Sequence, residues 1–251
     1  MAKLEEKFQL PLEKITPEHL KNYLQERIVI EEISTTLINQ HISAFKIVQQ
    51  DVLGRAWETM KIKRPRREKK LPQVLSLKEV EQIISAVANL KHRTMLMLLY
   101  SAGLRAQELL VISPKHIVSH MMRVNVVGGK GKKDRYTLLS QKVLEKLRDY
   151  YKIYKPRTYL FESGGRSGKY LSKSSLDKII KNATAKAGIK KNISAHTFRH
   201  SFATHLLEQG VNIRLIQQFM GHVSIKTTSV YLHLVSSDIK NLISPLDSMD
   251  I

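Results

Sequence analysis

The chain has 251 residues, 42% of them apolar, with 42 Lys and Arg against 22 Asp and Glu for a formal net charge of +20. The apolar share excludes a disordered chain, and the length suits one large domain plus a smaller one. Such a charge excess repels itself unless a polyanion relieves it, which favours nucleic acid over small acidic substrates, and the absence of cysteine excludes disulfides, thiolate metal sites and cysteine nucleophiles.

Residues Met1 to Leu10 are charged and lack an apolar signal core. No apolar run approaches the roughly 18 residues of a membrane span, so a soluble, cytoplasmic protein without a membrane partner is expected. Thr16-Pro17 predicts a helix start, with threonine as cap and proline at the first helical position, running through Leu20 and Leu24 to about Arg27. A second helix begins near Ser34, where Leu37, Ile38, Ile42, Phe45, Val48 and Val52 fall at helical spacing. Together they suit a small helical domain over residues 1–60, a short one, because two helices alone make a poor independent core.

Residues 61–72 carry Arg64, Arg66, Arg67, Lys69 and Lys70 together with Pro65 and Pro72 and read as a basic linker. It is a solvated tether, a basic tag read by another protein, or a tether that also crosses a DNA backbone, where cations release counterions from phosphate. Residues 73–251 form the larger domain. Ser76 and Glu79 have the spacing of a capping box, with Val80, Ile83, Ile84 and Val87 following on one helical face. An apolar segment from Met95 to Tyr100 follows, Gly103 breaks the pattern, and a further helical stretch starts at Arg105. Residues 122–127 and 135–139 are β-prone and flank a glycine-rich basic turn with Lys130, Lys132 and Lys133, which predicts a hairpin. The remainder reads as helices over about 141–152, 173–187, 195–208, 212–220, 224–230 and 237–243. The expected fold is therefore mainly α with a small antiparallel β-hairpin or sheet.

In the helix from 195 to 208, Phe198, Phe202 and Leu206 repeat every four residues as a buried stripe. His196 and Arg199, three apart, share a side near its start. An arginine beside an apolar stripe needs an anion: an internal carboxylate is the better reading taken alone, a DNA phosphate the sharper one. His200 and His205 have no spacing that sets them apart and read as structural. Gly221 ends the helix before it, leaving His222 as a loop histidine and Tyr231 as a half-buried aromatic. Arg105 reads as a helix-start partner of Glu108, and Lys130 as a loop lysine.

Taken together these segments resemble the catalytic domain of the tyrosine recombinases, the phage integrase family. The pieces are Gly-Leu-Arg-x-x-Glu-Leu at 103–109, Gly-Lys-Gly-Lys-Lys-Asp-Arg at 129–135, His-Thr-Phe-Arg-His-Ser-Phe-Ala-Thr-His at 196–205, Gly-His at 221–222, and Tyr231, in matching order over about 130 residues. The resemblance implies that Tyr231 is the nucleophile that forms a 3′-phosphotyrosine, with Arg105 and Arg199 on the non-bridging phosphate oxygens. It further implies that His196 accepts or positions the tyrosine proton, Lys130 protonates the leaving 5′-oxygen and His222 donates a hydrogen bond to the phosphate. Charge from Lys132 and Arg135 is expected to lower the pKa of Lys130, and Lys132, Lys133 and Arg135 to join the linker cations on DNA. Neither a metal nor a cofactor is expected, since arginine charge does that electrostatic work.

The implied partners are double-stranded DNA, further copies of the chain in a homo-tetramer on two duplexes, and a partner recombinase or accessory protein. A helix at 236–243 is expected to dock on a neighbouring subunit or on its own domain. The family's amino-terminal clamp commonly spans about a hundred residues, whereas about 60 precede the linker here, so a reduced or truncated clamp is expected. Two competing activities share these features: a type IB topoisomerase-like relaxing enzyme, and a DNA-binding protein with an inactive site.

Overall fold

In a computed structural model of the chain, the described residues are 2–56, 72–128, 134–164 and 168–234. The linker cations Arg64, Arg66, Arg67, Lys69 and Lys70, the hairpin-tip lysines Lys130, Lys132 and Lys133, and the expected helix 236–243 lie outside them. The chain divides into two compact units, Met1–Lys70 and Leu71–Ile251.

The first unit holds one helix more than the two expected. The charged start forms α1 (Ala2–Phe8), which contributes Leu4 to the core. The next helix, α2 (Pro17–Glu31), begins as expected: Thr16 caps it by accepting from the His19 amide, with Pro17 in the first turn. Ser34 likewise caps α3 (Thr35–Ile47) through the Leu37 amide. Leu4, Ile15, Leu20, Tyr23, Leu24, Ile38, Ile42 and Phe45 close one apolar core.

The expected face of α3 fails at its end. Val48–Val52 is a π-helical turn, and Val52 is exposed while Gln49 is buried. A wider turn rotates the following residues off the 3.6-residue register. Gln49 is satisfied inside: its Nε2 donates to the Ile15 carbonyl at 3.1 Å and its Oε1 accepts from Arg55 at 3.3 Å.

The second unit opens on α4 (Leu77–Ser85), capped by the expected Ser76–Glu79 box. The apolar segment becomes α5 (Leu90–Ser101), capped by Asn89, with Met95, Leu96, Leu98 and Leu99 fully buried. Its uniformly apolar character follows from its place, packed by α7 (Gln141–Tyr154) and α9 (Ala195–Glu208). Gly103 then turns the chain in the left-handed region at φ +57°, and a Cβ there would lie 2.3 Å from Cδ1 of Phe202. Only glycine fits this corner, which delivers Arg105 to the start of α6 (Ala106–Val111).

A three-stranded antiparallel sheet follows rather than a lone hairpin. A short β1 (Ile117–Val118) pairs with β2 (Arg123–Val126), which pairs with β3 (Arg135–Leu138). Along β3 the inward residues are Arg135 and Thr137, while Tyr136 and Leu138 are exposed. The polar residues face in and the apolar ones out, the reverse of an ordinary half-buried strand. Beyond α7 come α8 (Lys173–Lys186), then α9, α10 (Ile213–Met220) and α11 (Ile225–Thr228), which passes into a 3-10 turn, Ser229–His233. A small cluster of Phe202, Ala203, Ile216, Met220 and Tyr231 packs these last elements together.

Candidate active site

Three arginines from distant parts of the chain meet at one carboxylate. Glu108 Oε1 accepts from Arg105 Nη1 and from Arg135 Nη1, each at 2.7 Å, and its Oε2 accepts from Arg135 Nη2 at 2.7 Å. Arg199 Nη1 stands 3.8 Å from the same carboxylate. Burial alone would raise the Glu108 carboxyl, but hydrogen bonds and charge from Arg135, then Arg105, hold it down at about 2. One negative charge set among three guanidiniums leaves the cluster with a surplus of positive charge.

The same arginines also bind the carboxyl end of α10. Arg135 Nε donates to the Phe219 carbonyl at 2.8 Å, Arg105 Nη2 to the Gly221 carbonyl at 3.1 Å, and Arg199 Nη2 to the Met220 carbonyl. Arg199 Nη1 donates to the Gly103 carbonyl. Carbonyls at a helix end lack partners within the helix and carry its negative dipole end, so guanidiniums complete them. Burial, then the charge of Arg105, pushes the Arg199 guanidinium down to about 9, so it remains protonated at neutral pH. The internal anion anticipated for Arg199 is therefore mostly backbone carbonyl, with Glu108 behind it.

Arg135 departs from expectation. It was expected among the DNA-facing cations of the turn and as a charge acting on Lys130. Instead it is 8% exposed and points inward to Glu108 and α10. Strand alternation fixes this: Arg135 is on the inner face of β3. A surface contact with a DNA backbone is thereby ruled out for this side chain, which acts as a strut between sheet, α6 and α10.

Gly221 ends α10 in the left-handed region at φ +59°, where an added Cβ would sit 2.8 Å from Cδ of Arg135. That turn sets His222, whose Nδ1 hydrogen-bonds the buried Thr228 hydroxyl at 2.9 Å. Burial, then Arg199 and Arg105, pushes His222 down to about 4, so it is neutral at neutral pH.

Tyr231 lies on the 3-10 turn, 2% exposed. Burial pushes its phenol up to about 12, against the opposing charges of Arg199 and Arg105, which favour the phenolate. Arg105, Arg199, His222 and Tyr231 are thus brought into one electrostatic neighbourhood. The imidazole on the phenol is not the expected one, however. His200 Nδ1 hydrogen-bonds Tyr231 Oη at 2.9 Å. His196 is exposed one turn earlier on α9, its ring centroid 6.3 Å from that of His200. His200 read as structural because no spacing within its helix signals a partner 31 residues away. The other histidine read as structural, His205, is buried against the Tyr100 hydroxyl at 2.8 Å.

His196 also lines an open recess with Lys173, Asp177, Lys181, Lys191 and Ser194. Lys191 is tied there to Glu79 at 2.7 Å.

A family model described as the phage integrase family matches residues 73–237. A tyrosine recombinase of Thermosipho africanus is 35% identical over 230 residues, covering 88% of this chain and 80% of that one. Among solved structures, a crystal structure of XerA recombinase is 28% identical with a TM-score of 0.62, covering 95% of this chain and 86% of that one. The fold is also that of XerH site-specific recombinase bound to difH substrate, captured before cleavage, with a TM-score of 0.73 at 21% identity and coverage of 95% and 74%.

Proposed function

The chain belongs to the phage integrase family, and we propose from this that Tyr231 is the nucleophile that opens a DNA strand as a 3′-phosphotyrosine. The activity is that of a tyrosine site-specific recombinase, which cuts and rejoins DNA. The observation that carries the residue assignment is the phenol of Tyr231, held at 2.9 Å from an imidazole and acted on by the charges of both Arg199 and Arg105.

In the proposed reaction the scissile phosphate lies against the arginine cluster. Arg105 and Arg199 face its non-bridging oxygens, where charge grows as phosphorus becomes pentacoordinate. Glu108 and the end of α10 hold both guanidiniums in place beforehand, so little reorganisation is left for the transition state. His222, neutral and pinned through Nδ1, has Nε2 to offer the phosphate. Lys130 gives its proton to the leaving 5′-oxygen. The phosphotyrosine keeps the energy of the broken phosphodiester, so rejoining by a new 5′-hydroxyl is a reversal of the same step.

DNA is the bound partner. A tetramer on two duplexes and a cytoplasmic site of action are part of the proposal, in keeping with the family. No helix among the described residues is long and apolar enough to cross a membrane. The recess beside His196, with Lys173 and Lys181, supplies further cations for DNA phosphates next to the site. The names of the relatives favour recombination over a merely relaxing topoisomerase.

The test is a nicked suicide substrate, which loses its short 5′-hydroxyl strand after cleavage and traps the covalent adduct. The wild-type chain is expected to accumulate adduct and Tyr231→Phe none. Equal adduct in the phenylalanine variant overturns the assignment.

A further inference from the structure

We propose that a groove along α7, outside the arginine cluster, docks an acidic peptide segment of a partner protein, one with apolar anchors between its carboxylates.

The groove consists of two recesses that share Pro114, Tyr151 and Lys152. One half is apolar, walled by Ile117, Leu144, Leu147 and Leu160 together with the Tyr151 ring. Cations rim both halves: Lys115, Lys155 and Arg157 in one, Arg148 in the other, and Lys152 where they meet. All five are exposed, and none forms an ion pair with a described residue. Among the described residues, neither recess is lined by an aspartate or glutamate.

The carboxylates of α7 are kept off this face. Leu144, Arg148, Tyr151 and Lys155 follow at steps of three and four residues and so share one stripe of the helix. Glu145 and Asp149 each lie one residue round from that stripe. There Glu145 accepts from Gln141 at 3.1 Å and Asp149 pairs with Lys146 at 3.0 Å. The groove thus sets five positive charges around apolar walls without an internal anion.

This lining selects its occupant by chemistry. A second copy of a chain with net charge +20 brings the wrong sign. A DNA backbone matches the cations but leaves the apolar walls and the Tyr151 ring in water. A peptide that places leucine or phenylalanine among carboxylates matches both. Tyr151, 50% exposed where the recesses meet, is the kind of amphipathic aromatic on which interfaces commonly depend. The groove begins at Pro114, beyond the carboxyl end of α6, whereas Arg105 stands at its amino end. Peptide and scissile phosphate therefore have separate places.

The test is a selection of displayed short random peptides on the full chain with saturating duplex DNA bound, followed by anisotropy titration of the enriched peptides. These are expected to combine Asp or Glu with Leu, Phe or Trp. Changing their acids to Asn and Gln, or their apolar residues to Ser, is expected to abolish binding. Tyr151→Ala, and Arg148→Glu together with Lys152→Glu, are each expected to weaken binding by about tenfold or more, as loss of an interface anchor does. The thermal melt and cleavage of the nicked substrate are expected to stay as in wild type, since all three side chains are exposed. The proposal is overturned if no acidic and apolar peptide is enriched, or if the enriched peptides bind these variants as tightly as wild type. It is equally overturned if the variants lose affinity for duplex DNA, which would make the groove a nucleic-acid surface. Loss of self-association on sedimentation would overturn it in favour of a second copy.

Discussion

The two compact units differ in what they bury. Among the described residues of Met1–Lys70, Gln49 is the one buried polar side chain, and the rest of that core is apolar. Leu71–Ile251 buries Arg135, Arg199, His205 and several threonines and serines. A buried guanidinium costs several kcal/mol unless it is paired, and these are paired only because α6, β3, α9 and α10 each bring one part of the network. The first unit is stabilised by apolar area. The second gives up some stability to hold positive charge where we propose that the scissile phosphate binds. Substitutions should therefore act on different quantities in the two units.

The largest effect is expected at Glu108. Glu108→Gln removes the anion shared by Arg105 and Arg135 and leaves three guanidiniums facing one another. Breaking a buried ion pair by removing one partner costs about 3–5 kcal/mol, measurable by denaturant titration, and cleavage should fall with it as the arginines lose their alignment. The pH dependence supplies a second readout. The folded-state pKa of Glu108 is depressed from its ordinary 4.5 to about 2. Its stabilisation is therefore complete above pH 4.5 and is lost as the pH falls towards 2. The glutamine variant should lack that part of the acid limb. A variant as stable as wild type at neutral pH would mean that the carbonyls of α10 suffice to hold the arginines.

The charge network is also what the sequence hid best. The caps at Thr16 and Ser76 and the helix start near Ser34 were legible because such signals are local, settled within three residues. Helix α1 was hidden because only Leu4 and Phe8 of its seven residues reach the core. The π turn was hidden because the spacing of Val48 and Val52 continues that of α3, and only the Ile15 carbonyl reveals why Gln49 turns in. At the site, Arg105, Arg199, His222 and Tyr231 were legible through ordered family motifs. The alternation in β3, with Arg135 and Thr137 opposite Tyr136 and Leu138, did hold a signal that Arg135 faces inward. The pairing of His200 with Tyr231 did not, since it depends on how α9 meets the last 3-10 turn.

Phe45→Ala tests the other side of the comparison. Phe45 is fully buried in the first unit, and truncating a buried phenylalanine costs about 3–5 kcal/mol. That is as much as a core of this size commonly supplies, about 3–5 kcal/mol, so the first unit should unfold. DNA affinity should fall while the single-turnover cleavage rate at saturating DNA holds. A loss of that rate equal to the one at Glu108 would show that the two units are not separable in this way.

Gly221→Ala returns to the site with a smaller change. The backbone at φ +59° strains any other residue, and the new methyl meets Arg135 at 2.8 Å. Strain of this kind costs about 1–3 kcal/mol. Because Gly221 lies between the arginine-bound end of α10 and His222, cleavage should drop more than stability does. Gly54 has a similar φ of +61° with open space around it, so Gly54→Ala should cost only the backbone strain and spare cleavage.

The smallest effect is expected at Thr228, and it isolates a single bond. Thr228 is fully buried and its hydroxyl meets His222 Nδ1 at 2.9 Å. Thr228→Val keeps the shape and removes the hydroxyl, leaving Nδ1 without that partner at a cost of about 1–3 kcal/mol. That bond also fixes the ring, so its loss lets His222 turn and removes the preference for presenting Nε2 to the phosphate. Cleavage should slow by roughly tenfold, since about 1.4 kcal/mol of lost alignment is a factor of ten. If the hydroxyl merely satisfies a buried polar atom, the melting temperature falls and the rate does not. If it aims the imidazole, the rate falls in Thr228→Val and returns in Thr228→Ser, which restores the hydroxyl. The rate in the serine variant therefore separates a packing role from a positioning one.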